Sequence, residues 1–123
     1  FAATSPVFTE KEVKQIPSSL YFQNLSFEEI REQKFDCVFF CTPHGIALQE
    51  AEDFLKQGTK VIDLSGDFRF FENDIFEENY HISHLGEQKI SRKKGIMPGI
   101  GNFEAAYGLS EIFPEAIKKA SLI

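Results

Sequence analysis

Residues 35–64 read FDCVFFCTPHGIALQEAEDFLKQGTKVIDL and form the most informative stretch of the sequence. Their first part, Phe35–Thr42, is a nearly continuous apolar run that predicts a strand buried on both faces, as in a parallel sheet. Gly58 is a natural left-handed residue to end a helix over 46–57, and Lys60–Leu64 predicts the next buried strand. The apolar positions of that helix fall on one face: Ala47, Leu48, Ala51, Phe54 and Leu55. This βαβ pattern predicts an α/β fold class with a mostly parallel sheet.

Shorter elements are predicted before this unit. Thr9–Glu12 has the form of a capping box, which predicts a short helix that Pro17 would end. Ser18–Gln23 is compatible with a short strand. A second capping box, Ser26 with Glu29, predicts a helix over about 27–33.

The chain after Leu64 is less regular. One or two helical turns are predicted at Asn73–Tyr80, followed by a polar surface loop over 81–102 with room for a hairpin. Pro114 suits the first position of a helix over 115–120, whose last turn carries lysines that favour the helix dipole. Ser121–Ile123 has the composition of a strand's opening residues.

Composition excludes several classes of protein. The 123 residues make one domain at most, and 42% hydrophobic residues with fourteen Phe suffice for a core. Thirteen basic and nineteen acidic residues give a net charge of −6, which argues against nucleic-acid binding. No apolar run approaches the roughly 18 residues of a membrane helix, so no membrane association is expected. The two cysteines suit a reducing, cytoplasmic setting.

Two loops are candidates for ligand binding, because ligands of open α/β sheets bind beyond the carboxyl ends of the strands. The first loop precedes the helix over 46–57 and consists of Thr42, Pro43, His44 and Gly45. The free N–H groups at the start of that helix would suit a phosphate. Ser65–Phe70 brings Arg69 to the same edge, where its guanidinium could bind phosphate or carboxylate through two hydrogen bonds. The alternatives are a turn built for geometry alone and a surface arginine paired with Asp67 or with a nearby Glu.

The cysteines, the histidine pair and the glycines of 95–101 do not indicate a catalytic, metal or dinucleotide site. Cys37 and Cys41 lie on the same side of a strand and are expected to be inert core thiols. His81 and His84 have the spacing of a metal pair, but no further ligands follow, so no metal site is predicted. No glycine-rich dinucleotide fingerprint occurs, because Gly95–Gly101 does not follow a clear strand.

Three segments in this order resemble the N-acetyl-gamma-glutamyl-phosphate reductase family of arginine biosynthesis. They are FDCVFFCTPHG at 35–45, KVIDLSGDFRF at 60–70 and AYGLSEIFPEAIKKASLI at 106–123. The resemblance implies a Rossmann-like NADP-binding domain, of which residues 1–123 would be the C-terminal portion. The glycine-rich loop would precede Phe1, and the cysteine nucleophile and catalytic domain would follow Ile123. No catalytic residue is therefore expected in this chain.

The resemblance also implies an activity and site roles. The full-length enzyme would reduce N-acetyl-glutamyl 5-phosphate with NADPH, through a cysteine thioester, to the 5-semialdehyde and phosphate. Thr42–Gly45 would contact the cofactor, and Arg69 would bind the substrate phosphate. Such an enzyme would be a cytoplasmic homo-oligomer with a small-molecule substrate, and residues 1–123 alone would be inactive.

Two alternatives stay open at this point: a related acyl-phosphate reductase, such as an aspartate-semialdehyde dehydrogenase or a lysine-pathway enzyme, and a non-catalytic nucleotide-binding module. Gly66 stands where the family commonly has Ala, and Ser110 where it commonly has Pro. Both departures are expected to be tolerated.

Overall fold

The computed structural model describes residues 3–4, 22–70, 73–81, 83 and 95–123, and the chain divides into two compact units, Phe1–Lys34 and Phe35–Ile123. The helices and strands in the first unit are β1 (Ala3–Thr4), β2 (Phe22–Gln23) and α1 (Phe27–Glu32). Those of the second are β3 (Cys37–Phe40), α2 (Ile46–Lys56), β4 (Lys60–Asp63), α3 (Asn73–Tyr80), β5 (Ile96–Ile100), β6 (Phe103–Ala106) and α4 (Pro114–Lys119).

In the first unit, the predicted capping box sets the start of α1. The Ser26 hydroxyl accepts from the Glu29 backbone N–H at 3.2 Å, and the Glu29 carboxylate accepts from the Ser26 N–H at 2.7 Å. Strands β1 and β2 pair in parallel. The strand predicted at 18–23 is confirmed at Phe22–Gln23; its other residues and the predicted helix after Thr9 lie outside the described residues.

The second unit contains a mostly parallel sheet, as predicted. Strand β3 pairs with β4 in parallel, with Val38 opposite Val61. The Ser121–Ile123 segment follows beside β4, because Leu122 forms parallel bridges to both Val61 and Ala105. The sheet order is therefore β3, β4, residues 121–123, β6 and β5, and only β5 runs antiparallel to its neighbour. The expectation of a strand at the end of the chain is confirmed.

Helix α2 covers one face of this sheet through the five residues that its periodicity predicts. Ala47, Leu48, Ala51, Phe54 and Leu55 are all buried. The Phe54 ring meets Phe40 of β3 edge-on, with centroids 5.7 Å apart, an arrangement that stabilises beyond the area it buries. Gly58 follows the helix with a φ of +86°, so its lack of a Cβ permits the turn into β4.

The prediction that β3 is buried on both faces is wrong. Phe40 points under α2 and is 2% exposed, whereas its neighbour Phe39 is 58% exposed. Successive strand residues point to opposite faces, so Cys37 and Cys41 share the less covered side with Phe39. Cys37 is half-buried and Cys41 is exposed, so the expectation of two core thiols is also wrong.

The hairpin allowed for in the predicted loop over 81–102 is present in its last part and extends to Ala106, but the expectation of a surface loop is wrong for β5. Residues 96–100 form β5, which pairs with β6 as an antiparallel hairpin through Gly101, whose φ is +56°. Met97 and Ile100 are buried in the core. Glycines at 95, 99 and 101 and Pro98 obscured this strand in the sequence. The helix predicted after Pro114 is confirmed as α4.

Candidate functional site

The carboxyl ends of the parallel strands share one edge of the sheet, and a cavity of about 310 Å³ lies there. The end of β4 and the loop after it line one side with Asp63, Ser65 and Arg69, and the chain after β6 lines another with Tyr107, Gly108 and Leu109. Ile123, from the segment between these strands, also lines the cavity. The two candidate loops, Thr42–Gly45 and Ser65–Phe70, both belong to this edge, since they follow β3 and β4.

Asp67 joins the two loops. The backbone N–H of Gly45 donates to both carboxylate oxygens, each at 2.9 Å, and the Leu48 N–H donates to Oδ2 at 3.2 Å. The Asp67 side chain is completely buried. A negative charge is favourable at the amino end of α2, because the first N–H groups of a helix lack partners within it.

This contact corrects one expectation about the first loop. The N–H groups of Gly45 and Leu48 were expected to be free for a phosphate, but Asp67 already occupies them. A phosphate brought to the same N–H groups would meet a buried carboxylate of like charge. The Gly45 and Leu48 N–H groups at the amino end of α2 therefore already bind the protein's own anion.

His44 is held between the same two loops. The Gly66 N–H donates to His44 Nδ1 at 3.0 Å, so Nδ1 supplies a lone pair and the proton of the neutral ring lies on Nε2. The Tyr80 ring, at the end of α3, stacks on the imidazole with centroids 3.9 Å apart and planes at 36°. Asp67 Oδ1 lies 3.7 Å from Nδ1, beyond hydrogen-bond distance. The His44 side chain is 40% exposed.

Asp63, Ser65 and Asp67 form a short hydrogen-bonded chain after β4. The Ser65 N–H and hydroxyl donate to the Asp63 carboxylate at 3.0 and 2.9 Å, and the same hydroxyl accepts from the Asp67 N–H at 3.2 Å. Burial raises the pKa of Asp63, and the nearby Asp67 charge acts in the same direction, while the Ser65 bonds partly offset this shift. The chain of bonds fixes the loop that leads to Arg69.

Arg69 lines the cavity, and its side chain is exposed. Within the described part of the chain, no salt bridge joins its guanidinium to an acidic side chain, and the Asp67 carboxylate faces α2 instead. The alternative of an Arg69–Asp67 pair is therefore wrong. A guanidinium at the rim of a cavity is suited to binding a phosphate or carboxylate group.

Comparison with known proteins agrees with this architecture. The sequence profile described as "Semialdehyde dehydrogenase, NAD binding domain" matches residues 3–120. The chain belongs to this family. Proteins named N-acetyl-gamma-glutamyl-phosphate reductase are also similar. Those from Acinetobacter baumannii (strain ACICU) and Methanobrevibacter smithii are 37% and 36% identical over 106 residues, which is 86% of this chain and 26% of each relative. The one from Methanocaldococcus jannaschii is 38% identical over 103 residues, or 83% of this chain and 26% of the relative.

The chain therefore spans about a quarter of the length of these curated relatives. The family and its relatives confirm the sequence-based resemblance and the Rossmann-like fold class. Membership of this family means that the domain binds a nicotinamide dinucleotide. No helix among the described residues is both long and apolar enough to span a membrane.

The structure offers one test of whether the first loop fits the dinucleotide of this NAD-binding domain. Thr42 Oγ1 is the single buried side-chain polar atom without a hydrogen-bond partner among the described residues. Such an atom costs free energy unless something satisfies it, and unsatisfied groups are typical of binding sites. Together with the N–H at His44 Nε2, it makes the loop a set of neutral polar groups. The loop fits the hydroxyl or carboxamide groups of a dinucleotide better than its phosphates.

The two loops that the sequence predicts to share an edge do so in this semialdehyde dehydrogenase domain, but the sequence did not point to three further contributors. Asp67 was weighed only as a partner of Arg69, and nothing in the local pattern shows that it reaches α2. Tyr80 was seen only as the end of a helix. Tyr107–Leu109 carried part of the family resemblance without being recognised as cavity lining. His84 lies outside the described residues, and those residues hold no cluster of three potential metal ligands.

Proposed function

We propose that residues 1–123 are the C-terminal portion of the NADP-binding domain of an N-acetyl-gamma-glutamyl-phosphate reductase of arginine biosynthesis. The complete enzyme converts N-acetyl-glutamyl 5-phosphate to N-acetylglutamate 5-semialdehyde and phosphate, and NADPH supplies the hydride. The chain's family and the names of its relatives support this proposal. The whole enzyme would be a cytoplasmic homo-oligomer.

The observation that carries the proposal is the arrangement of the two loops at one sheet edge. A loop with neutral polar groups, Thr42–Gly45, is tied through Asp67 to the Ser65–Phe70 loop, in which Arg69 forms no salt bridge to any described acidic side chain. Reduction of an acyl phosphate through a thioester requires a group that binds the departing phosphate and a dinucleotide that then gives hydride to the acyl carbon. The neutral loop suits part of the dinucleotide, and the guanidinium suits the phosphoryl group.

Each residue then has a stated task. Thr42 and His44 hydrogen-bond neutral groups of the cofactor, while Pro43 and Gly45 shape the loop around them. Arg69 binds the substrate phosphate and stabilises its negative charge as the bond to the acyl carbon breaks. A cysteine outside this chain forms the thioester, so residues 1–123 alone are inactive.

Activity measurements on the full-length enzyme test this function. NADPH oxidation and phosphate release are followed with N-acetyl-glutamyl 5-phosphate, with aspartyl phosphate as the competing substrate and NADH as the competing cofactor. We expect both signals with the first substrate and NADPH, and neither from the polypeptide of residues 1–123. Turnover of aspartyl phosphate alone would assign the chain to a related reductase. Dinucleotide binding without any turnover would favour the non-catalytic module.

A further inference from the structure

The ring of Tyr80 has no assigned role, although it makes a close contact at the proposed cofactor loop. It stacks on His44 with centroids 3.9 Å apart and also meets Phe76 and Phe70, at 4.9 and 5.8 Å. Phe76 is 1% exposed, so Tyr80 is anchored to the core on one side. The imidazole therefore rests on a supported aromatic surface.

Gly66 makes this contact possible. A Cβ at this position would overlap the hydroxyl end of the Tyr80 ring. The same residue donates its N–H to His44 Nδ1 at 3.0 Å. Gly66 and Tyr80 therefore restrain the imidazole together, one through the hydrogen bond to Nδ1 and the other through the tilted ring contact. An alanine at this position would conflict with Tyr80.

We propose that Tyr80 is a positioning residue that holds His44 as the neutral Nε2–H tautomer, so that Nε2 presents a fixed donor to a hydroxyl or carboxamide oxygen of the dinucleotide. The proposal rests on the dinucleotide-binding role given above. One nearby charge bears on the choice of acceptor. The buried Asp67 carboxylate lies 3.7 Å from Nδ1 and disfavours an anionic group beside the ring. A neutral acceptor meets no such penalty.

The tautomer is measured directly in the full-length enzyme from the ¹⁵N chemical shifts of the His44 ring in long-range ¹H–¹⁵N spectra. We expect the Nε2–H form in the wild type and in Tyr80→Phe, which keeps the ring, and a mixture of tautomers in Tyr80→Leu. A wild-type His44 protonated on Nδ1 would overturn the proposal without any variant being needed.

Titration calorimetry with NADP⁺ tests whether the fixed Nε2–H donor of His44 contributes to dinucleotide binding. Tyr80→Leu should weaken NADP⁺ binding about tenfold, which corresponds to the free energy of about one hydrogen bond. Tyr80→Phe keeps the ring and should bind NADP⁺ as tightly as the wild type. Thr59→Val is the control, because Thr59 Oγ1 donates to the Phe35 carbonyl at 2.9 Å, before β3 and β4 begin. It should lower stability without weakening binding. Unchanged affinity in Tyr80→Leu would overturn the proposal.

The two proposals fail in different ways. A wild-type enzyme that shows the Nε2–H tautomer but no affinity for NADP⁺ would refute the dinucleotide function and the donor role, and would leave Tyr80 as a purely structural contact. An enzyme that binds NADP⁺ with His44 in the other tautomer would refute only the role of Tyr80.

Discussion

Asp67 accepts hydrogen bonds from the Gly45 N–H through both carboxylate oxygens at 2.9 Å, across 22 positions of sequence. This contact links the loop after β3 to the loop after β4 at the edge formed by the carboxyl ends of the parallel strands. It also explains why the amino end of α2 does not need an external anion.

Asp67→Ala should lower the free energy of unfolding by about 2 kcal/mol, because it leaves the buried N–H groups of Gly45 and Leu48 without an acceptor. Asp67→Asn should cost less, since an amide oxygen still accepts. Urea unfolding followed by circular dichroism measures both. Asp53→Ala is the control, because its carboxylate is exposed and lies 3.8 Å from Lys56. Equal small losses in both alanine variants would contradict the assigned cap.

Arg69→Ala in the full-length enzyme should raise the KM for the acyl phosphate at least tenfold, as expected on losing charged hydrogen bonds of about 1.5 kcal/mol or more. The KM for NADPH should change much less. Arg69→Lys should recover part of the loss, because a lysine cannot bind phosphate through two parallel bonds. Steady-state kinetics measure these constants. Lys118→Ala, which removes an exposed cation paired with Glu115, is the control. Unchanged substrate kinetics in Arg69→Ala would remove Arg69 from the site.

Asp63 should make stability fall as pH rises. Burial raises its folded-state pKa above the usual 3.8, so the folded protein binds this proton more tightly than the unfolded chain does. The stabilisation is complete below about pH 3.8 and is lost as pH increases through the raised pKa. Asp63→Asn should remove this decline. Urea unfolding of the wild type and of Asp63→Asn is measured across acidic and neutral pH, so that the contributions of all other titratable groups cancel in the difference. Identical pH profiles of the unfolding free energy would contradict the raised pKa of Asp63.

Gly66→Ala should destabilise the fold by about 1–3 kcal/mol, because the added methyl overlaps the Tyr80 ring. The backbone at this position needs no glycine for its torsion angles, so the cost is steric. In a Tyr80→Ala background, the same substitution should therefore cost much less. A double-mutant cycle of unfolding free energies measures the coupling. An equal cost in both backgrounds would show that Tyr80 is not the obstacle.

Leu122→Ala should lower the free energy of unfolding by about 3 kcal/mol, because Leu122 is fully buried between β4 and β6. Ile112→Ala removes a branched side chain that is 56% exposed and should cost less than about 0.5 kcal/mol. Thermal and urea unfolding measure both. A small loss in Leu122→Ala would mean that residues 121–123 are not a working part of the sheet.

Local patterns predicted the elements whose geometry depends on near neighbours. Helix α2 buries the five residues that its spacing selects, and the Ser26–Glu29 capping box begins α1. Strand β5 was missed because Pro98 and its glycine neighbours resemble a loop, and only pairing with β6 makes them a strand. Phe39 was expected inside because apolar composition does not show which face of a strand is covered.

The sequence by itself determined the βαβ unit, the edge where the two candidate loops meet and the identity of the exposed cation, Arg69. Only the tertiary structure decided which partner each polar group takes. Asp67 binds the amino end of α2 rather than Arg69, and Tyr80 lies on His44 because Gly66 leaves room for it. Helical and strand periods report contacts between near neighbours, whereas hydrogen bonds across 19 to 22 positions exist only after the sheet has brought its loops together.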